Sequence, residues 1–459
     1  MDTLQYVSGS VELNANLKGN FKEIKQSAFS PNVSAEGSAT LKEIKTKFRG
    51  KENEINIGEG TFVLKDRNVT VNNFKLVIGS SDVELNGQLP GFLNYLFDPQ
   101  QPLVIKAGLK SNKLVLEDIL YGNNNSGSEK VNIPANLNFD LNAGINNFSF
   151  AKFEAQNVLG DISIHHQKIV AQNISLITME GKANVNAIAD ASGENIVIKA
   201  EADFQNINIS KLFLQCNNFG QNTLNEKHLK GFAAANLSFA GNWSKELKCD
   251  LESVVATGSL AIEQGRLMNF KPLESLSKYV EVSELKDIKF SHLHCSFDIK
   301  NQIITLPRTN LKNSALNIEF WGKHTFKNEI DYHIKLLLSE LLTSKKRANK
   351  QLDEELEFVE HDPENRRCVY LLMTGTVDNP IIKYDRKGLK QKIGEDIKAE
   401  KQTLKQILKE EFGLFKKDST LIKSEPKKGD QKFKLETEEK DKKKNNLQPK
   451  KKEEDDEDF

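Results

Sequence analysis

The sequence predicts a mainly β protein: an elongated, twisted, antiparallel β-groove of repeating units, an open trough with short covering helices. A C-terminal amphipathic helix and a disordered charged tail complete the expectation. One observation dominates. Phe62, Leu64, Val69, Val71, Phe74, Leu76, Val83 and Leu85 share their spacing with Ile162, Ile164, Ile169, Ala171, Ile174, Leu176, Ala183 and Val185. The same spacing returns in Phe297, Ile299, Ile304, Leu306, Thr309, Leu311, Ile318 and Phe320. Steps of two put side chains on one face of a strand. The composition agrees: 38% apolar residues over 459, with mean hydropathy −0.51, suits half-buried antiparallel strands better than sheets packed on both faces.

In chain order, Val11, Leu13, Ala15 and Leu17 already alternate as a strand. Met1 to Leu4 has neither the basic region nor the apolar core of a signal peptide. The chain therefore reads as starting inside a β-array, with any membrane anchor expected upstream. Strands separated by Gly, Asn and Asp fill 1–121. The Lys65–Asn68 stretch reads as a hairpin turn, as do His165–Lys168 and Lys300–Ile303 at matching places. Between Val71 and Phe74 the spacing changes by three, which would flip a regular strand. A bulge or turn is expected there in each copy.

Short helices are expected at Pro90–Phe97 and Pro272–Val282, where apolar residues fall at helical spacing and covering the sheet is their plain role. The polar run Tyr121–Lys130 reads as an internal boundary, and Gln215–Lys227 as a lesser one. A second β-region spans 131–385. It holds a charged segment from Ser344 to Glu364, read as a helix and loop. A last strand pair follows, Val369–Thr374 and Ile381–Tyr384. Over 386–415, Leu389, Ile393, Ile397, Leu404, Leu408 and Phe412 mark a basic amphipathic helix, suited to a protein surface or an anionic membrane. Residues 416–459 are charged and poor in apolar groups, hence read as disordered.

The chemistry of catalysis is not evident. Lys+Arg and Asp+Glu are both 64, a balance that does not suggest nucleic-acid binding. No phosphate-binding loop, dinucleotide fingerprint or nucleophile elbow occurs in a workable context. Cys216, Cys249, Cys295 and Cys368 are scattered and read mostly as buried thiols. His292, His294 and Cys295 come closest to a metal motif. On a strand, however, the two histidines share one face and Cys295 takes the other, so the three cannot converge. His165 and His166 read as surface turn residues. The carboxylates Asp353 to Glu360 read as a solvated helix face. The expectation is a protein that is not an enzyme, with no cofactor and no metal.

Two stretches carry a family resemblance. Gly258–Val280 (GSLAIEQGRLMNFKPLESLSKYV) followed by the third apolar unit, and the ending LLMTGTVDNPIIKYDRKGL, resemble the C-terminal region of AsmA-like proteins. The likeness is sharpest over 250–385 and extends as a style of repeat over most of 1–385. It implies a repeating β-groove protein of a Gram-negative envelope, normally anchored in the inner membrane with its β-region in the periplasm. It further implies phospholipid as the partner, with roles in lipid transport between membranes, outer-membrane assembly and regulation of protein targeting to membranes. The visible chain departs from the family in lacking the N-terminal anchor.

The expected lining for acyl chains is then Phe62, Leu64, Val69, Val71, Phe74, Leu76, Val83 and Leu85; Ile162, Ile164, Ile169, Ile174, Leu176 and Val185; and Phe297, Ile299, Ile304, Leu306, Leu311, Ile318 and Phe320. Alternation alone is equally compatible with a closed β-sandwich, a structural or adhesive repeat protein whose apolar faces seal on each other.

Overall fold

The computed structural model describes residues 4–20, 22, 34–48, 53–65, 68–120, 130–220, 224–274, 277, 285–313, 317–337, 360–361 and 367–385. These form one twenty-stranded sheet. Its strands are β1 (Leu4–Lys18), β2 (Ser34–Phe48), β3 (Ile55–Lys65), β4 (Asn68–Ile78), β5 (Ser81–Leu89), β6 (Leu103–Val115) and β7 (Leu137–Phe150). There follow β8 (Phe153–His165), β9 (Lys168–Thr178), β10 (Gly181–Asp190), β11 (Ile196–Asn208), β12 (Leu229–Trp243), β13 (Cys249–Met268) and β14 (Asp287–Lys300). The sheet ends with β15 (Ile303–Asn313), β16 (Asn317–Thr325), β17 (Glu329–Leu337), the two-residue β18 (Glu360–His361), β19 (Arg367–Thr376) and β20 (Pro380–Tyr384).

Each strand from β1 to β16 pairs with its successor, β17 pairs with β19, and β18 and β20 both pair with β19. The expectation of a purely antiparallel sheet needs one correction. β6 and β7 run parallel, Leu103 opposite Leu137 through Val115 opposite Ser149. A parallel neighbour requires the chain to return to its starting end, and the segment between Val115 and Leu137 makes that return. Its described parts are pinned at both ends of the sheet. In the helix Leu116–Leu120, the buried Asp118 carboxylate accepts from the Ser80 backbone N–H at 2.9 Å and from the Ser81 hydroxyl at 2.8 Å. At the opposite end Val131 N–H donates to Lys245 O at 2.8 Å, and Gln167 Nε2 donates to Ile133 O at 2.8 Å. The parallel pair joins the two β-regions into one sheet.

The hairpins fall where the spacing placed them. Lys65 pairs with Asn68, His165 with Lys168 and Lys300 with Ile303. In the latter two, His166–Gln167 and Asn301–Gln302 take positive φ at both central positions, the backbone of a type I′ turn that matches strand twist. The three bulges are also present. Register shifts lie between Val71 and Phe74, between Ala171 and Ile174, and between Leu306 and Thr309.

Among the described residues the α-helices are short: Phe92–Phe97, Leu116–Leu120, Ile209–Gln215 and Lys271–Glu274. The longest starts at Asn208, whose side chain accepts from the N–H groups of Ser210 and Lys211 and so caps it. It ends at Gln215 and a 3₁₀ turn, Asn217–Gly220, follows within the Gln215–Lys227 stretch, yet β11 and β12 on either side pair directly. Tyr121–Glu129, most of the Pro272–Val282 helix, the Ser344–Glu364 segment apart from β18, and everything from 386 onward lie outside the described residues.

Candidate functional site: one apolar face across the sheet

Cross-strand partners share a face of a sheet, so the register tells which side chains lie together. One row of partners crosses the whole sheet. From β1 it runs Leu13, Ala39, Phe62, Val71, Gly87, Ala107, Leu141 and Ile162. It continues through Ala171, Ala187, Ala200, Phe239, Ala256, Ile299 and Ile304. It closes with His324, Ile330, Gly375 and Pro380. At about 4.8 Å between neighbouring strands the row is roughly 85 Å long, measured along the sheet.

The row places all three apolar copies on the same face. A second row, Ile174, Val185, Ala202, Leu237, Gly258 and Phe297, ties the second copy to the third independently. Gly258 leaves no room for a side chain: a Cβ there would stand 2.5 Å from the Asn236 backbone oxygen and 2.9 Å from the Phe297 ring. The first copy adds Leu64 opposite Val69, Phe74 opposite Leu85 and Leu76 opposite Val83. In the second, Ile164 faces Ile169 and Leu176 faces Ala183. In the third, Leu311 faces Ile318. Leu306, opposite Gly322, and Phe320, opposite Thr309, fall on the same face.

Burial divides the expected lining. Val69, Val71, Val83, Ile174, Leu311 and Ile318 are buried. The other fifteen are half-buried, and none is fully exposed. Along the long row small residues recur, with Gly87, Ala107, Ala171, Ala187 and Ala200 all half-buried. Bulkier rows flank them, Leu64, Val69 and Ile169 on one side and Phe74, Leu85 and Ile174 on the other. The three copies revealed Phe62, Val71, Ile162, Ile299 and Ile304, but not Leu141, Phe239 or Ile330. The small members on β2, β6, β10, β11 and β13 carry too little apolar signal to be found by alternation.

Thr309, the exception to the apolar rule, is buried with its hydroxyl donating to Pro307 O at 2.9 Å. Polar groups on the apolar face are sparse. Cys295 lies opposite Leu260 and beside Phe297, and burial pushes its thiol up to about 11. His324 is the one ionisable member of the long row. Burial lowers its pKa, and its Nδ1 lies 3.5 Å from the Tyr332 hydroxyl, itself held well above the usual range by burial. His292 and His294 are exposed on the opposite face from Cys295, as their alternation predicted. Cys216 and Cys249 are half-buried and Cys368 is buried, with no disulfide joining any of the four. Among the described residues no group of three or more His, Cys, Asp or Glu side chains is arranged to hold a metal ion, and no helix is long and apolar enough to cross a membrane.

Two features escaped alignment of the apolar residues alone. At each of the first two bulges an asparagine takes left-handed φ, Asn73 (52°) and Asn173 (52°). Each donates its backbone N–H to a second asparagine on the next strand, Asn86 Oδ1 at 2.7 Å and Asn186 Oδ1 at 2.8 Å. The pairs recur at identical offsets, so the signal was present in the repeat. The equivalent residues of the third copy are Arg308 and Trp321, with the guanidinium 4.2 Å from the indole centroid. The second feature is the outer-face cluster around this pair. Trp321 stacks on His333 at 5.3 Å, and His333 Nδ1 lies 2.8 Å from Asp385 Oδ2.

No family model matches the chain, and no curated protein or solved structure matches it either.

Proposed function

We propose that this is a non-enzymatic, AsmA-like lipid-binding protein of a Gram-negative envelope. It holds phospholipid acyl chains along the apolar face and supports lipid movement between membranes and outer-membrane assembly. The observation that carries the reading is the long row: apolar residues line one face from β1 to β15, and most of the expected lining remains half-buried. A closed sandwich would put a second sheet over those residues, whereas all twenty described strands belong to one sheet. The small residues of the row, flanked by bulky ones, suit an extended hydrocarbon lying across the strands.

The energetics fit transfer rather than storage. Each CH₂ removed from water contributes about 0.8 kcal/mol, so a pair of tails resists escape into water. Between a bilayer interior and an apolar protein face the difference is near zero, so tails enter and leave without being trapped. Headgroups remain in water at the open side. The AsmA-like resemblance supplies the setting: a β-region in the periplasm, attachment to the inner membrane and a link to protein targeting.

The test is native mass spectrometry of the chain purified from a Gram-negative host. Phospholipid adducts are expected. Phe74→Asp puts a charge on the face, and Ala200→Trp fills the row without adding one. Both are expected to lower the lipid-to-protein ratio several-fold while circular dichroism stays unchanged. A wild-type chain free of lipid, or normal loading in both variants, overturns the proposal.

A further inference from the structure

We propose that the helix Phe92–Phe97 is a lid: it occupies the groove at the first apolar copy and must swing away before an acyl chain can lie there. The inference rests on the lipid-binding reading above and concerns the regulation of that same face. Phe92 stacks on Phe62 with ring centroids 6.4 Å apart, and Phe62 meets Phe74 edge-on at 5.7 Å. Phe92 also packs against the cluster of Val69, Val71 and Leu89. Phe62 and Val71 are opposite one another in the long row. The helix thus stands on the path a hydrocarbon would take, and one close-packed stretch of surface cannot hold both.

The first and second copies differ at this point. Val69, Val71 and Leu89 are exposed by only 4, 6 and 7%. Their counterparts in the second copy are Ile169, Ala171 and Ala189, with Ile169 opposite Ala189 as Val69 is opposite Leu89. All three counterparts are half-buried. Val131 and Ile133 belong to the cluster on which Ile169 and Ala189 pack, and still leave them so. The connections account for the difference. Residues 90–102, between β5 and β6, carry the helix, whereas residues 191–195, between β10 and β11, only turn the chain.

The helix is suited to being displaced. Its six residues are too few to be stable alone. Gly91 supplies no side-chain cap, and neither end carries a charge that would favour the helix dipole. The chain beyond it is moored separately, with Asn136 Nδ2 donating to Pro99 O at 2.8 Å and to Gln101 O at 3.1 Å. Gly91, at φ 71° in the left-handed region open to glycine, and the extended Asp98 are the pivots on either side. The described hold of the helix on the sheet is the apolar contact of Phe92, and an acyl chain offers the sheet contact of the same kind. Guest and helix compete for one surface, so binding of the guest shifts the helix from closed to open.

Native mass spectrometry of the full chain, purified from a Gram-negative host, tests the lid. Phe92→Ala should raise the lipid-to-protein ratio several-fold. Asn94→Ala, on the exposed side of the helix, should leave the ratio unchanged, and both variants should keep wild-type circular dichroism. Phe62→Cys combined with Phe92→Cys gives two thiols, one on the sheet and one on the helix, for a short bis-maleimide tether. Incubated with vesicles of phosphatidylethanolamine and phosphatidylglycerol, the tethered chain should take up several-fold less lipid than the same variant left untethered. Wild type treated with the reagent sets the background from its four native cysteines. Equal uptake by tethered and untethered chains, or a Phe92→Ala ratio equal to wild type, overturns the lid while the lipid-binding reading stands. A wild-type chain that takes up no lipid overturns both.

Discussion

The amino-terminal strands and the carboxy-terminal strands use the same alternation for opposite ends. In β1 the inward side chains are open to solvent, with Leu13 exposed by 75%. In β17 and β19 the inward Leu336, Val369 and Leu371 are fully buried. The outward side is closed there as well. Trp321, His333, Cys368 and Tyr370 alternate with the inward residues and are themselves buried. What separates the two regions is therefore the number of faces covered, a property that a period of two does not encode. The carboxy-terminal end has the composition of a sealed core, and the remainder has one half-open face. Under the lipid-binding proposal, the closed end holds the sheet's shape and the half-open stretch receives the guest.

The largest expected effect breaks the comparison directly. Leu371→Ala removes a fully buried side chain from a cluster that includes Ile334, Leu336, Val369 and Met373. A loss of about 3–4 kcal/mol is expected in urea unfolding, from lost transfer energy plus the cavity. Leu13→Ala, the same change on the same face at the other end, should shift stability by less than about 0.5 kcal/mol. Equal losses would mean that the amino-terminal face is as tightly packed as the carboxy-terminal one.

Next in size is the polar seam that closes the outer face. His333 and Asp385 are both nearly inaccessible, and their side chains meet at 2.8 Å. Asp385 Oδ1 is buried without a hydrogen-bond partner, and the Asp385 N–H donates to Tyr370 O at 2.9 Å. The pair thereby ties the end of β20 to β17 and β19. Removing Asp385 leaves the buried His333 Nδ1 without its partner, while Nε2 keeps Asp331 at 3.7 Å, so Asp385→Ala should cost about 2 kcal/mol. The double variant Asp385→Ala with His333→Leu should recover part of that loss, because an apolar replacement no longer strands a polar group. Additive losses in that cycle would show that the two side chains stabilise the end independently.

Legibility in the sequence tracks the same division. The hairpins at His165–Lys168 and Lys300–Ile303 and all three bulges were readable, because large apolar residues at fixed offsets report both facing and its interruption. The parallel junction of β6 and β7 was not. Strand direction depends on where the connecting segment runs, and Val131 and Ile133 look like ordinary loop residues until Lys245 and Gln167 are seen to hold them. The long row was half readable. Phe62, Val71 and Ile162 stood out, whereas Gly87, Ala107 and Ala200 are too small to mark a face. The outer cluster was hidden for a different reason. Trp321 and His333 occupy the parity that a one-faced sheet gives to solvent, so the pattern assigns them outside, and only the packing of the closed end puts them within.

The smallest effect concerns the bulges, where the three copies diverge along the same axis. Asn73 and Asn173 adopt left-handed backbone that β-carbon sterics disfavour for most residues, and asparagine tolerates it best after glycine. Asn173→Ala should therefore cost about 1 kcal/mol, while Asn173→Gly should be close to neutral, since the backbone N–H that bonds Asn186 is retained. Asn186→Ala removes the acceptor and should cost about 1 kcal/mol by leaving that N–H to water. In the third copy Arg308 has no positive φ, and its contact with Trp321 takes the place of the asparagine pair. Arg308→Ala should thus lose a cation–π contact of about 1 kcal/mol, and Arg308→Gly should be at least as damaging, the reverse of the order at Asn173. If glycine were tolerated equally well at both positions, the third bulge would be holding its shape in the same way as the first two. The switch from an asparagine clamp to an aromatic one would then owe nothing to the closing of the outer face.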